Sequence, residues 1–213
     1  MIAGLKSAML VAALLIGGTA AHAEVVETKS YLFVTRATAD VAATPMETWL
    51  ALVTPSKWWN GEHSWSGDAA NMTIVPQGGG CFCERLPAKD EGEKIALAGS
   101  VQHMTVLLAL PEQVLRMRGG LGPLQSEPVD GVLTVTLKPV ESGTRILWEY
   151  VVGGAMRYEV PKISSAVDGV MTEQLTRLAA HLGPIPAAAQ AHDEPSDGAA
   201  EAAGADDAPA GSR

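Results

Sequence analysis

The sequence is poor in cysteine, phenylalanine and positive charge, and each shortage removes a class of function. Cysteine occurs only at Cys81 and Cys83, too few to build a structural zinc site unaided. On a regular strand two such residues share a face with Cα atoms roughly 6.5 to 7 Å apart, at or beyond the comfortable span of a disulfide. Two half-buried thiols, or a bridge formed where the strand is kinked, both fit that spacing. His63 and His103 could approach the cysteines in space, but no ligand spacing relates them, so neither a metal nor a cofactor is expected. Lysine and arginine number 15 against 24 acids, for a net charge of −9. They form no cluster, which argues against a nucleic-acid partner. Phosphate loops of the GxxxxGK type, nucleophile elbows, Ser/His/Asp patterns and internal repeats are all missing.

What is present begins with an export signal. Lys6 precedes the apolar run Ala8–Ile16, and Ala21-His22-Ala23 supplies a small-x-small triplet. The run falls short of the ~20 residues of a membrane-spanning helix. Residues 1–23 are therefore expected to be a signal peptide cleaved after Ala23, which makes the protein periplasmic or secreted with no stable membrane insertion after cleavage. Beyond Leu182 the composition turns to alanine, glycine, proline and acids, and residues 184–213 are expected to be a disordered tail. Residues 24–183 remain as one domain. Nothing in the sequence sets an oligomeric state.

Within that domain a strand is expected over Ser30–Ala39, followed by a helix start at Thr44-Pro45-Met46-Glu47. There a threonine cap, a proline and a glutamate three residues on make a capping box. Trp49, Leu50 and Val53 are expected on its apolar face, and Thr54-Pro55 ends it. Strands follow over Asn71–Pro76, Cys81–Leu86, Ile95–Leu110, Val114–Arg118, Gly131–Val140 and Thr144–Val152, with the charged stretch Lys89–Lys94 as a hairpin loop. Leu133, Val135 and Leu137 alternate on one face of the penultimate strand, and Ile146, Trp148 and Tyr150 on one face of the last. The apolar positions Ile163, Val167, Val170, Met171, Leu175, Leu178 and Leu182 predict a long amphipathic helix over Lys162–Leu182, with Ser165-x-x-Asp168 as a cap. The class is α+β.

Several phrases carry a family resemblance: Ala42-x-x-Pro45-x-x-x-Trp49 with Lys57-Trp58-Trp59, Pro76-x-Gly-Gly-Gly80-x-Phe82-x-Glu84, Gly99-x-Val101, Val114-Leu115, Gly143-Thr144 and the closing helix. In this order the chain resembles the SRPBCC superfamily, the START or Bet v 1-like helix-grip fold, in the branch labelled activator of Hsp90 ATPase homologues and polyketide cyclase-like proteins. The resemblance implies a curved antiparallel sheet wrapped around the C-terminal helix, with short helices after the first strand. It also implies a cavity for a small hydrophobic molecule. An exported chain would meet neither the cytosolic chaperone nor ATP, so the Hsp90 role is not carried over.

Around such a cavity the expected ligand-binding residues are Trp58, Trp59, His63, Trp65, Phe82, Glu84, His103, Trp148 and Tyr150. His63, Glu84 and His103 are the candidates for proton transfer, because imidazole titrates near neutrality and burial shifts a carboxyl group. Glu84 shares a face with Phe82 and Leu86 and should point inward, where it must meet His103, Arg116 or Arg118. The loops Asn60–Gly67 and Gly119–Gln125 exceed what the fold requires. An exported binder of a hydrophobic or amphipathic ligand is the first expectation. A cyclase, dehydratase or hydrolase, and an interaction module with a filled core, are the alternatives.

Overall fold

The computed structural model describes residues 22–88 and 97–185; the expected signal peptide up to residue 21, the Lys89–Lys94 loop and the tail beyond residue 185 lie outside them. Eight strands form one antiparallel sheet: β1 (His22–Lys29), β2 (Leu32–Val41), β3 (Met72–Ile74), β4 (Cys81–Leu86), β5 (Gly99–Leu110), β6 (Val114–Arg118), β7 (Val129–Val140) and β8 (Gly143–Gly154). Their order across the sheet is β1-β2-β8-β7-β6-β5-β4-β3. A short helix α1 (Pro45–Leu52) and three single 3-10 turns fill the connection from β2 to β3, and the long helix α2 (Val160–Leu182) closes the chain. The curved sheet grips α2 in the helix-grip manner expected.

Local chemistry accounts for most of these elements. Thr44 accepts from the Glu47 amide while the Glu47 carboxylate accepts from the Thr44 amide, so α1 starts on a complete capping box. On α1 Trp49 is buried as expected, but Leu50 stands exposed and Thr48, Ala51 and Leu52 are buried instead. The helical stripe is thus rotated from the expected one. In the central hairpin Leu133 faces Tyr150, Val135 faces Trp148 and Leu137 faces Ile146. These six side chains are buried, and cross-strand contacts of this kind stabilise a sheet. The inner face of α2 buries Ile163, Val167, Met171, Leu175 and Leu178, each such side chain contributing about 1.5–3 kcal/mol.

Three boundaries differ from expectation. β1 precedes the expected first strand and pairs with β2. α2 begins at Val160 after Glu159, so Ser165 and Asp168 lie inside the helix rather than at its cap. At the other end Gly183 takes a left-handed conformation and stops the helix. Its carbonyl accepts from Ala42, and the Ile185 amide donates to Asp40. Pro184 and the buried Ile185 therefore belong to the folded unit rather than to a tail starting at 184.

The irregularity that shapes the interior lies between β4 and β5. Phe82 faces Met104 but Cys83 faces Gln102, which leaves His103 as the extra residue of a bulge. His103 and Met104 are consequently both buried, where regular alternation would send one outward. Cys81 and Cys83 are bridged across this kink, with Cα atoms 5.3 Å apart. Of the two forms that the spacing allowed, the structure contains the disulfide.

Candidate functional site

A cleft of about 530 Å³ opens between α2, the loop after α1 and the turn after β6. Its helix wall is Ile163, Ala166, Val167, Val170 and Met171. Leu121, Gly122 and Pro123 form a second wall, and Trp59, Glu62, His63, Ser64 and Trp65 a third. His103 supplies a buried polar surface among these mostly apolar groups.

The second wall is held by Tyr150, whose hydroxyl donates to the Gly119 carbonyl at 2.9 Å and accepts from the Leu121 amide at 3.2 Å. Close approach also fixes it: a Cβ on Gly119 would stand 2.3 Å from the His103 carbonyl oxygen. The Gly119–Gln125 loop, unexplained by the fold alone, is thereby pressed onto the His103 bulge and made a cavity wall. Burial pushes the Tyr150 hydroxyl well above its ordinary range, so it stays protonated and keeps donating.

The third wall is clasped to α2. The Asn60 amide donates to Gln174 at 2.8 Å, the Asn60 side chain donates to Glu173, and His63 Nε2 lies 3.0 Å from the other Glu173 oxygen. Arg177 donates to the Trp58 carbonyl at 2.8 Å. The Trp59 indole donates to the His63 carbonyl at 3.0 Å, closing the loop on itself.

Behind His103 stands Glu84, 1% exposed. One carboxylate oxygen accepts from the Trp65 amide and from His103 Nε2, each at 3.0 Å; the other accepts from the Ser66 amide. Burial pushes the Glu84 carboxyl up, but the bonds from Ser66, Trp65 and His103 outweigh it and hold the group below the usual carboxylate range. Burial pushes His103 down, more than the neighbouring Glu84 raises it. The pair is therefore an ionised carboxylate and a neutral imidazole at neutral pH. Nε2 carries the hydrogen that it donates, which leaves Nδ1 as the lone-pair nitrogen of a ring that lines the cleft, with no hydrogen-bond partner among the described residues.

The candidate residues thus separate into layers. Trp59, His63, Trp65 and His103 line the cleft. Glu84 orients His103 from behind. Trp58, Phe82, Trp148 and Tyr150 are buried in the core and are absent from the lining. Trp58 packs edge-on against Trp148 with centroids 5.9 Å apart, and Phe82 packs against Trp59 at 5.4 Å. Of the expected ligand-binding residues, these four therefore stand behind the cleft lining rather than in it. His63 turns to Glu173 instead of Glu84, so the three proton-transfer candidates do not form one cluster. A cavity against the C-terminal helix was expected, but none of the helix-wall residues stood among the site candidates, although their three-and-four spacing could have shown them. Among the described residues no group of three or more His, Cys, Asp or Glu side chains could hold a metal ion, and no helix is long and apolar enough to cross a membrane.

Comparison with known proteins gives one family match: the model for polyketide cyclase / dehydrase and lipid transport proteins matches residues 33–183. Solved structures with a similar trace include a protein from Rhodobacter sphaeroides, 20% identical over 76% of this chain and 97% of its own, with a TM-score of 0.46. Another is Ms6760 from Mycobacterium smegmatis, 18% identical over 75% and 97%, with a TM-score of 0.47. A protein of unknown function from Staphylococcus aureus is 13% identical over 71% and 93%, with a TM-score of 0.48. No curated protein matches the chain.

Proposed function

The chain belongs to the polyketide cyclase / dehydrase and lipid transport family of the SRPBCC superfamily, and from that premise we propose that it is an exported binding protein for a small hydrophobic or amphipathic molecule. The observation that carries the reading is the cleft, about 530 Å³ with apolar walls and one buried polar group, His103. Sites for small molecules have this size and composition. The third alternative, a module with a filled core, does not account for such a space. Export is supported by the pattern Lys6, Ala8–Ile16 and Ala21-His22-Ala23, and by the Cys81–Cys83 disulfide, since such bonds persist in oxidising compartments. The resemblance to the Hsp90-activator branch gains no specific support from the family match.

Native mass spectrometry of protein purified from its own host tests the binding role. The expected result is an added mass that is lost on denaturation and extracts into organic solvent. A bare polypeptide that also fails to take up the neutral dye Nile red would contradict it.

One observation favours a second reading, catalysis. Neutral His103, with its Nε2 hydrogen held by Glu84 and its Nδ1 unoccupied, has the arrangement of a general base. His63 lacks a buried carboxylate behind it and drops out of this role. Exchange of α-hydrogens of the hydrophobic ketone 2-tetralone in D2O tests the idea. Accelerated exchange that disappears in His103→Leu supports it, and exchange at the buffer rate rejects it.

A further inference from the structure

Resting on the reading of the cleft as a hydrophobic ligand site, we infer that its occupant is an uncharged molecule bearing a hydroxyl group, an alcohol or phenol, whose O–H donates to Nδ1 of His103. The hydrogen-bonding groups of the walls select this chemistry. No lysine or arginine is among the described residues that line the cleft. The backbone donors of Glu62 to Ser66 are already committed: Glu62 to the Asn60 side chain, His63 to the Asn60 carbonyl, Ser64 to Gly61, and Trp65 and Ser66 to Glu84. The Ser64 hydroxyl donates to the Gly61 carbonyl at 2.7 Å, and the Trp59 indole to His63. The Leu121 amide is spent on Tyr150. Trp65 keeps its indole N–H unpartnered, but that side chain is 60% exposed at the rim.

What remains inside is an acceptor. His103 Nδ1 is a lone pair in apolar surroundings, and a ligand hydroxyl would satisfy it at a net gain of up to about tenfold in affinity. A ligand carboxylate meets the opposite conditions. It would lose its water, find no cationic side chain lining the cleft, and face Glu84 across His103, with Glu62 also on the wall. Desolvation and like charge both act against it. The rim adds no compensation, because His63 is turned to the Glu173 carboxylate. The cleft therefore discriminates by electrostatics as well as by shape: it admits a hydrophobic body of modest size, requires a donor at the buried end, and rejects an anion.

A matched set of probes tests this at pH 7.5: 4-butylphenol, 4-butylanisole and 4-butylbenzoate, each measured by displacement of Nile red. The expected order is phenol about tenfold tighter than anisole, with benzoate weakest. In His103→Leu the phenol-to-anisole affinity ratio should fall to about one. Should that variant fail to fold, the phenol-to-anisole ratio in the wild-type protein decides alone. Uptake of Nile red and anisole with phenol no tighter, or with benzoate tightest, overturns the inference while leaving the ligand site intact. Absence of binding by Nile red and all three probes overturns the ligand-site reading, and this inference with it.

Discussion

Two Glu–His pairs flank the same cleft, Glu84–His103 inside and Glu173–His63 at the rim, and in both the nearest nitrogen and oxygen are 3.0 Å apart. Residue type and distance are shared, so neither explains what each pair does. The difference is solvent. The inner side chains are 5% and 0% exposed for His103 and Glu84, the outer ones 36% and 40% for His63 and Glu173. Inside, low polarizability magnifies every unmet charge, and the carboxylate is held by two backbone amides in addition to the imidazole. At the rim, water can replace either partner. The inner pair fixes a tautomer and presents a lone pair to the cleft; the outer pair fastens a loop to a helix.

The contrast breaks most visibly on truncation. Glu84→Ala should lower stability by about 3–5 kcal/mol, because it strands the Trp65 and Ser66 amides and the buried imidazole. Glu173→Ala should cost under about 1 kcal/mol, as exposed pairs do. Urea denaturation of both variants checks this, and equal losses would contradict the division.

Acidification sharpens it next. His103 is held below the ordinary value of 6.5, so as pH falls past that point the unfolded chain takes up its proton first and stability begins to decline. Glu84 is held below its ordinary 4.5, so stability present above that value is lost as pH falls further through the folded-state value. Thermal melts from pH 8 to pH 3 should show both declines, and His103→Leu should lack the earlier one.

A smaller effect belongs to the wall opposite the loop. Tyr150→Phe removes two hydrogen bonds from the Gly119–Leu121 turn and should cost about 1–3 kcal/mol, with weaker Nile red binding measured by fluorescence titration.

The capping box, the central hairpin and the helix stripe were legible because each is a pattern within one segment. β1 was not: its alternation is weak, its described side chains are mostly exposed, and its first residues coincide with the expected cleavage triplet. The inner pair was half legible. Alternation pointed Glu84 inward, but its partner depended on a bulge, which is a property of two paired strands. His103 took the place that Arg116 and Arg118 could have filled; Arg116 instead donates to Thr134 at 3.0 Å and Arg118 pairs with Asp130 at 3.1 Å. The role of the Gly119–Gln125 loop was hidden for the same reason, since Tyr150 and the His103 backbone that anchor it are distant in sequence.

The lone pair on His103 Nδ1 can be observed directly by 15N NMR of the histidine rings at pH 7.5, with and without 4-butylphenol. The account predicts a neutral ring protonated at Nε2, whose Nδ1 resonance moves on addition of the phenol and stays put on addition of 4-butylbenzoate. A ring protonated at Nδ1, or an Nδ1 resonance unmoved by saturating phenol, would contradict it.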